Sequence, residues 1–143
     1  MSYFTSVKSN VYLVDLVLLL VRIFVGFAML SHGYPKLQQL LSGEEIQFYN
    51  FMGIGEKASL FCAVFAEFVC SIFLILGLFS RIALFFLAFT MVVAGFVIHS
   101  SDPFNKREMS LLYLSIFLLL FAFGPGKYSV DAMISRKRNS EKW

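Results

Sequence analysis

Residues 58–79 read ASLFCAVFAEFVCSIFLILGLF, an apolar run with a single charge, Glu67, near its middle. A helix that crosses a bilayer needs roughly 20 mainly apolar residues, so this stretch reads as a membrane span. Working outward, residues 12–30 and 82–98 are similar runs. A fourth, 109–123, is short and is expected to begin near residue 105, because Pro103 is accepted where a helix starts and Lys106 and Arg107 can snorkel to the interface. Of the 143 residues 59% are hydrophobic and only 15% charged, against about 25% charged in a soluble domain. The 18 phenylalanines are better explained by a lipid solvent than by an oversized core.

Punctuation between the runs sets the topology. Gly77-Leu78-Phe79-Ser80 joins a helix-ending glycine to a helix-starting serine, giving a tight antiparallel hairpin. Ser100-Ser101-Asp102-Pro103 breaks the chain, and Gly124-Pro125-Gly126 stops the last run. Residues 44–56 hold too few apolar side chains to cross and are expected to lie at the interface, as a short helix or a re-entrant loop. The fold class expected is therefore all-α: one membrane-embedded four-helix bundle over residues 1–143, with spans of about 12–30, 58–79, 82–98 and 105–123 and a basic tail at 127–143. The first run is too long for a signal peptide, carries Asp15 and Arg22, and reads as a retained span. Four spans put both termini on one side. That side holds Lys8, Arg81, Lys127, Arg136, Lys137, Arg138 and Lys142, whereas the other has Lys36, Lys57, Lys106 and Arg107 beside several acids. The excess of bases places both termini in the cytoplasm. The tail suits anionic lipid headgroups; no stripe of bases and aromatics points to nucleic acid.

Charges within the spans carry the functional signal, since a lone charge at mid-bilayer costs a few kcal/mol. Arg22 and Glu67 fall at similar depth on neighbouring antiparallel spans, and a buried Arg22–Glu67 pair is expected. Helical spacing puts Asp15, Arg22, Gly26, Met29, Gly33 and Lys36 on one stripe of the first span. Leu60, Ala63, Glu67, Cys70, Leu74 and Gly77 make a second stripe, and Phe85, Ala88, Val92, Gly95 and His99 a third. Small residues on these stripes permit close helix approach. His32, Lys36 and His99 gather at the outer ends of spans one and three, where Pro35 bends the chain, so a pocket with Arg22 and Glu67 at its floor is one reading and plain interfacial side chains another. Cys62 and Cys70 are too far apart on a helix for a disulfide and read as small buried hydrophobes. No metal-ligand spacing, nucleotide-binding glycine pattern or catalytic serine motif is found, so no catalytic residue and no metal site is assigned.

These residues resemble the DoxX family of small four-helix membrane proteins. Arg22-Ile23-Phe24-Val25-Gly26 followed by His32-Gly33-Tyr34-Pro35-Lys36-Leu37 is similar to that family's opening pattern. Glu67 with Leu76-Gly77-Leu78-Phe79-Ser80-Arg81 resembles its second-span signature, residues 48–55 its interfacial segment, and Gly124-Pro125-Gly126-Lys127-Tyr128-Ser129-Val130-Asp131 its ending. Where the family often has a glycine pair after the glutamate, this chain has Cys70 and Ser71. The resemblance implies the polar positions Arg22, His32, Lys36, Glu67, Arg81, Ser129 and Asp131, a bacterial-type inner membrane, and an association with membrane redox or thiol-stress complexes. A quinone is the cofactor it suggests, although none is evident from the residues themselves.

Three functions remain compatible with the sequence. One is a redox-associated subunit, in which the polar cluster Arg22, Glu67, His32, Lys36 and His99 meets a quinone headgroup or a partner enzyme. The second is a non-enzymatic scaffold whose charges only fix the bundle. The third is a small transporter or proton path, which four short spans would support best as an oligomer.

Overall fold

The computed structural model describes residues 10–140, and among them every regular element is helical. Lys8 and Lys142, which enter the charge comparison, lie outside the described residues. Helix α1 spans Val11–Leu41 and starts at Asn10, whose side-chain oxygen accepts from the Tyr12 amide at 3.1 Å. It runs on through Pro35 instead of stopping near residue 30. Proline deletes one backbone donor, and the carbonyl left without it belongs to Ser31, which is exposed where water or headgroups can serve it. At 1.5 Å per residue α1 is about 46 Å long, more than the hydrocarbon core needs.

The next rod is built from α2 (Glu56–Val64), a π-helical turn (Phe65–Val69) and α3 (Cys70–Leu76). It ends in a Schellman arrangement: the Leu78 amide reaches the Phe73 carbonyl, the Gly77 amide reaches Leu74, and Gly77 takes φ 70°. The third rod is α4 (Ser80–Val92) continued by a second π-helical segment (Val93–Ile98), followed by α5 (Phe104–Phe123) and the tail helix α6 (Val130–Ser140). Among the described residues three stretches are long and apolar enough to cross a membrane: Val11–Leu41, Glu56–Leu76 and Ser80–Ile98. Helix α5 carries Lys106, Arg107 and Glu108 near its start and packs along α4.

Antiparallel packing of α1 on the second rod is set by glycines. Gly33 faces the Glu67 backbone, Gly26 faces Ser71 and Ile75, and Arg22 lies beside Gly77. Between the rods and α4–α5 sits the apolar core, which includes Val25, Met29, Cys70, Leu74, Leu84, Leu87, Met91 and Phe117. Phe24, Phe61, Phe85 and Leu119 point outward instead, as expected where the surrounding solvent is hydrocarbon. The third stripe is corrected here. Ser80, Ala83, Leu84, Leu87 and Met91 form the buried face of α4, while Phe85 and Val92 are exposed, because α4 is wedged between α3 and α5 and must present the face common to both. Gly95 remains inward.

A Cβ added at Gly33 would come within 2.8–2.9 Å of Glu67 and Phe68 backbone atoms, which cannot move aside, whereas one at Gly95 would meet only side-chain atoms at 3.5 Å or more. Gly33→Ala should therefore destabilise the protein in detergent by about 1–3 kcal/mol. Gly95→Ala should be neutral or mildly stabilising, and denaturant titration of the two variants measures the difference.

Candidate functional site

Glu67 lies within the π-helical turn, where the Cys70 amide bonds the Phe65 carbonyl five residues back. Such a turn widens the helix and re-aims its side chains, and π turns are frequent at functional sites. The Glu67 backbone carbonyl accepts from Ser71 Oγ at 2.7 Å. A similar arrangement marks the second π segment, where Arg107 Nε donates to the Gly95 carbonyl at 2.9 Å. In each case a side-chain donor occupies a carbonyl within the widened turn.

The Glu67 side chain is 5% exposed and accepts from Lys36 Nζ with both oxygens, at 2.5 and 2.6 Å. Lys36 stands almost one turn beyond Gly33, the residue opposite Glu67. Helical side chains lean toward the N-terminus of their helix, so the lysine reaches back to the level of the carboxylate. The expected Arg22–Glu67 pair does not form. Positions 22 and 33 are about 16 Å apart along α1, so the arginine lies at the opposite end of the interface from the acid. Lys36, placed by the sequence at the outer end of the first span, takes its place because α1 continues past Pro35.

The ion pair borders two cavities. One, of about 310 Å³, is lined mainly by apolar and aromatic groups including Phe48, Phe51, Phe89 and Val93, together with Cys62 and Thr90. The segment between α1 and α2 closes over it: Phe51 N donates to Ser59 Oγ, the Phe51 ring meets Phe89 edge-on at 6.2 Å, and Phe48 lies 6.0 Å from the Lys36 ammonium. The other cavity, of about 260 Å³, is more polar and is bordered by His32, Lys106, Ser110 and Tyr113. Lys36, Glu67, Ala94 and His99 line both. His99 Nδ1 donates to Asp102 Oδ2 at 2.7 Å, which leaves Nε2 as the free ring nitrogen. That hydrogen bond, with Lys106 nearby, holds the Asp102 carboxyl below the usual carboxylate range. Cys62 is exposed against the expectation of burial, while Cys70 is buried, and both are free thiols. Among the described residues no three His, Cys, Asp or Glu side chains gather as a metal site.

Arg22 belongs to a separate assembly at the other end. Its guanidinium donates to the Pro125 carbonyl and, at 2.7 Å, to the Tyr128 carbonyl. Asp15, one stripe position away, accepts from the Lys127 amide at 3.0 Å. Asp131 accepts from the Phe79 and Ser80 amides, both at 2.9 Å, and so caps α4 from another part of the chain; Ser80, the cap read from the sequence, has no hydrogen-bond partner for its hydroxyl. Ser129 Oγ donates to the Gly126 carbonyl and accepts from the Ala132 amide, starting α6. Gly77 is pressed between Ser129 and Arg22, Gly124 ends α5 at φ 83°, and Arg81 sits over the Phe121 ring.

Of the expected cluster, then, Lys36, Glu67 and His99 share cavity walls, His32 joins them at the polar cavity with its ring 6.1 Å from Tyr113, and Arg22 does not join them. The close approach also survives the replacement of a glycine pair by Cys70 and Ser71, because the missing side chains are on α1, at Gly26 and Gly33. Sequence reasoning missed the aromatic wall from residues 48–51; the signal available was the aromatic-rich interfacial segment itself.

The DoxX family model matches residues 17–100. Two proteins of Haemophilus influenzae, each described as an uncharacterized protein, are similar to the chain. One is 32% identical over 123 residues, covering 81% of this chain and 89% of the relative. The other is 26% identical over 133 residues, covering 88% of each. No solved structure matches the chain.

Because a lysine cannot fork onto two carbonyls, Arg22→Lys should lower stability by about 2 kcal/mol. The exchange Arg22→Glu with Glu67→Arg should rescue neither single change. Chemical unfolding in detergent micelles reads both outcomes.

Proposed function

The chain belongs to the DoxX family, and from that premise we propose that it is a four-span redox-associated subunit whose Lys36–Glu67 pair forms the polar end of a site for a quinone-type headgroup. In this reading α5 is the fourth span, the protein sits in a bacterial-type inner membrane, and both termini face the cytoplasm. The observation that carries the reading is the placement of a carboxylate–ammonium contact, its acid 5% exposed, at the edge of an aromatic-lined cavity of about 310 Å³. Ligand sites of this kind are mostly apolar with a few converging polar groups.

The residues fit such a headgroup on the chemistry of the donor set. Phe48, Phe51 and Phe89 offer flat apolar faces, and the lysine side chain, 30% exposed, has hydrogens beyond those given to Glu67. A quinone supplies two-electron, two-proton chemistry when bound. Lys36 would donate to a carbonyl oxygen of the ligand, Glu67 would hold or release a proton beside it, and the segment 48–51 would exclude water. Arg22 takes no part; its two carbonyl partners assign it to holding the tail turn.

Titration of the purified protein with a fluorescent quinone analogue tests the proposal. Saturable binding should weaken by about tenfold or more in Lys36→Gln, the loss expected for a hydrogen bond to a charged group. Glu67→Gln should retain binding but abolish its pH dependence. Absence of saturable binding in the wild type overturns the reading and favours a scaffold.

A further inference from the structure

We propose that the polar cavity is an aqueous proton inlet to Glu67, open toward the membrane face opposite the α6 tail, with the His99 imidazole as its relay. The proposal rests on the reading of Glu67 as a proton-exchanging group, and it adds a route, a direction and a residue. Three observations point to it.

First, the Lys36–Glu67 pair lies between two unlike spaces. The aromatic cavity is dry in character, whereas the polar one is bordered by His32, Lys36, His99, Lys106, Ser110 and Tyr113 and at about 260 Å³ has room for several waters with polar partners. Second, the polar cavity lies at the helix ends beside the turn between α4 and α5, where His99 and Lys106 border it. Lys106 on its border is 63% exposed, and Asp102, in the turn between α4 and α5, is 34% exposed. Third, His99 lines both spaces and is oriented by Asp102 through Nδ1, so its free Nε2 is the nitrogen able to pick up and release a proton. An imidazole fixed by a carboxylate is suited to such transfer because its tautomer is set.

The titratable groups bordering the two cavities beside the pair come from each element around it: His32 on α1, Tyr49 in the segment between α1 and α2, Cys62 on α2, His99 next to the second π segment, and Lys106 and Tyr113 on α5. Of these, His99 is the imidazole held by a positioned hydrogen-bond partner; His32 is held only by an edge-on contact with Tyr113. The step balances simply. The imidazolium at His99 gives its Nε2 proton through cavity water to the Glu67 carboxylate, and the neutral ring is reprotonated at Nε2 by hydronium arriving from the solvent, which leaves water. Protonation of Glu67 ends its ionic contact with Lys36 and frees the ammonium.

Two measurements test this separately from quinone binding. In a Cys62→Ser background, Ser110→Cys should react with a charged, membrane-impermeant thiol reagent applied from the face opposite the tail. Thr90→Cys, in the aromatic cavity, should react far more slowly. If Ser110→Cys is inert from that face, or Thr90→Cys is equally fast, the inlet is overturned whatever the quinone titration gives. After a pH jump, the infrared carboxyl band that Glu67→Gln removes should appear about 100-fold more slowly in His99→Gln. An unchanged rate removes His99 as the relay. A loss of folded yield in His99→Gln passes this second test to His99→Asn, for which the same slowing is expected and an unchanged rate is equally decisive.

Discussion

Backbone-to-backbone approach of α1 and the second rod at Gly33 is the contact on which the other features depend. In lipid there is no hydrophobic gain from bringing two helices together, so close packing of small residues must supply the attraction. Gly33 against Glu67 and Gly26 against Ser71 fix both the spacing and the register of the two rods. That register brings Lys36 within reach of Glu67 at one end and Arg22 beside Gly77 at the other. Slide α1 by one turn and both charges lose their partners together.

Two buried charges are thus held in two different ways. Glu67 receives an ammonium, which can let go when the acid is protonated, and it does so beside accessible space. Arg22 receives neutral carbonyls from a turn that glycine and proline hold in place. An ion pair responds to proton concentration, whereas a guanidinium on backbone carbonyls does not. The division suits a protein in which one end changes and the other holds.

The helical architecture was legible from hydropathy alone, because a bilayer allows few alternatives to helices for an apolar run. The inward stripe of α1 was legible too: Arg22, Gly26, Met29 and Gly33 are all buried. Partner choice was not. Counting depth from the ends of the apolar runs matched Arg22 with Glu67, while Lys36, on the same stripe but at the outer end of the span, was passed over. The carbonyls of Pro125 and Tyr128 leave no trace in side-chain identity, so the arginine's true acceptors could not be read from residue types. The π-helical turns were equally silent, since each differs from an α turn by a shift in hydrogen bonding and not by composition. The cap on α4 was misread for a related reason: Ser80 stands at the right place in sequence, but Asp131 arrives from elsewhere with two better-placed oxygens.

The tail latch also dictates an order of events during biosynthesis. Arg22 and the Pro125 carbonyl it serves are 103 positions apart, and translation proceeds at roughly 5–20 residues per second. The guanidinium therefore emerges from the ribosome many seconds before its acceptor exists. Through that interval the guanidinium has to be served by water or lipid phosphates in place of its carbonyls. Completion of the nascent chain, and not entry of the first helix, is what releases the bundle to close.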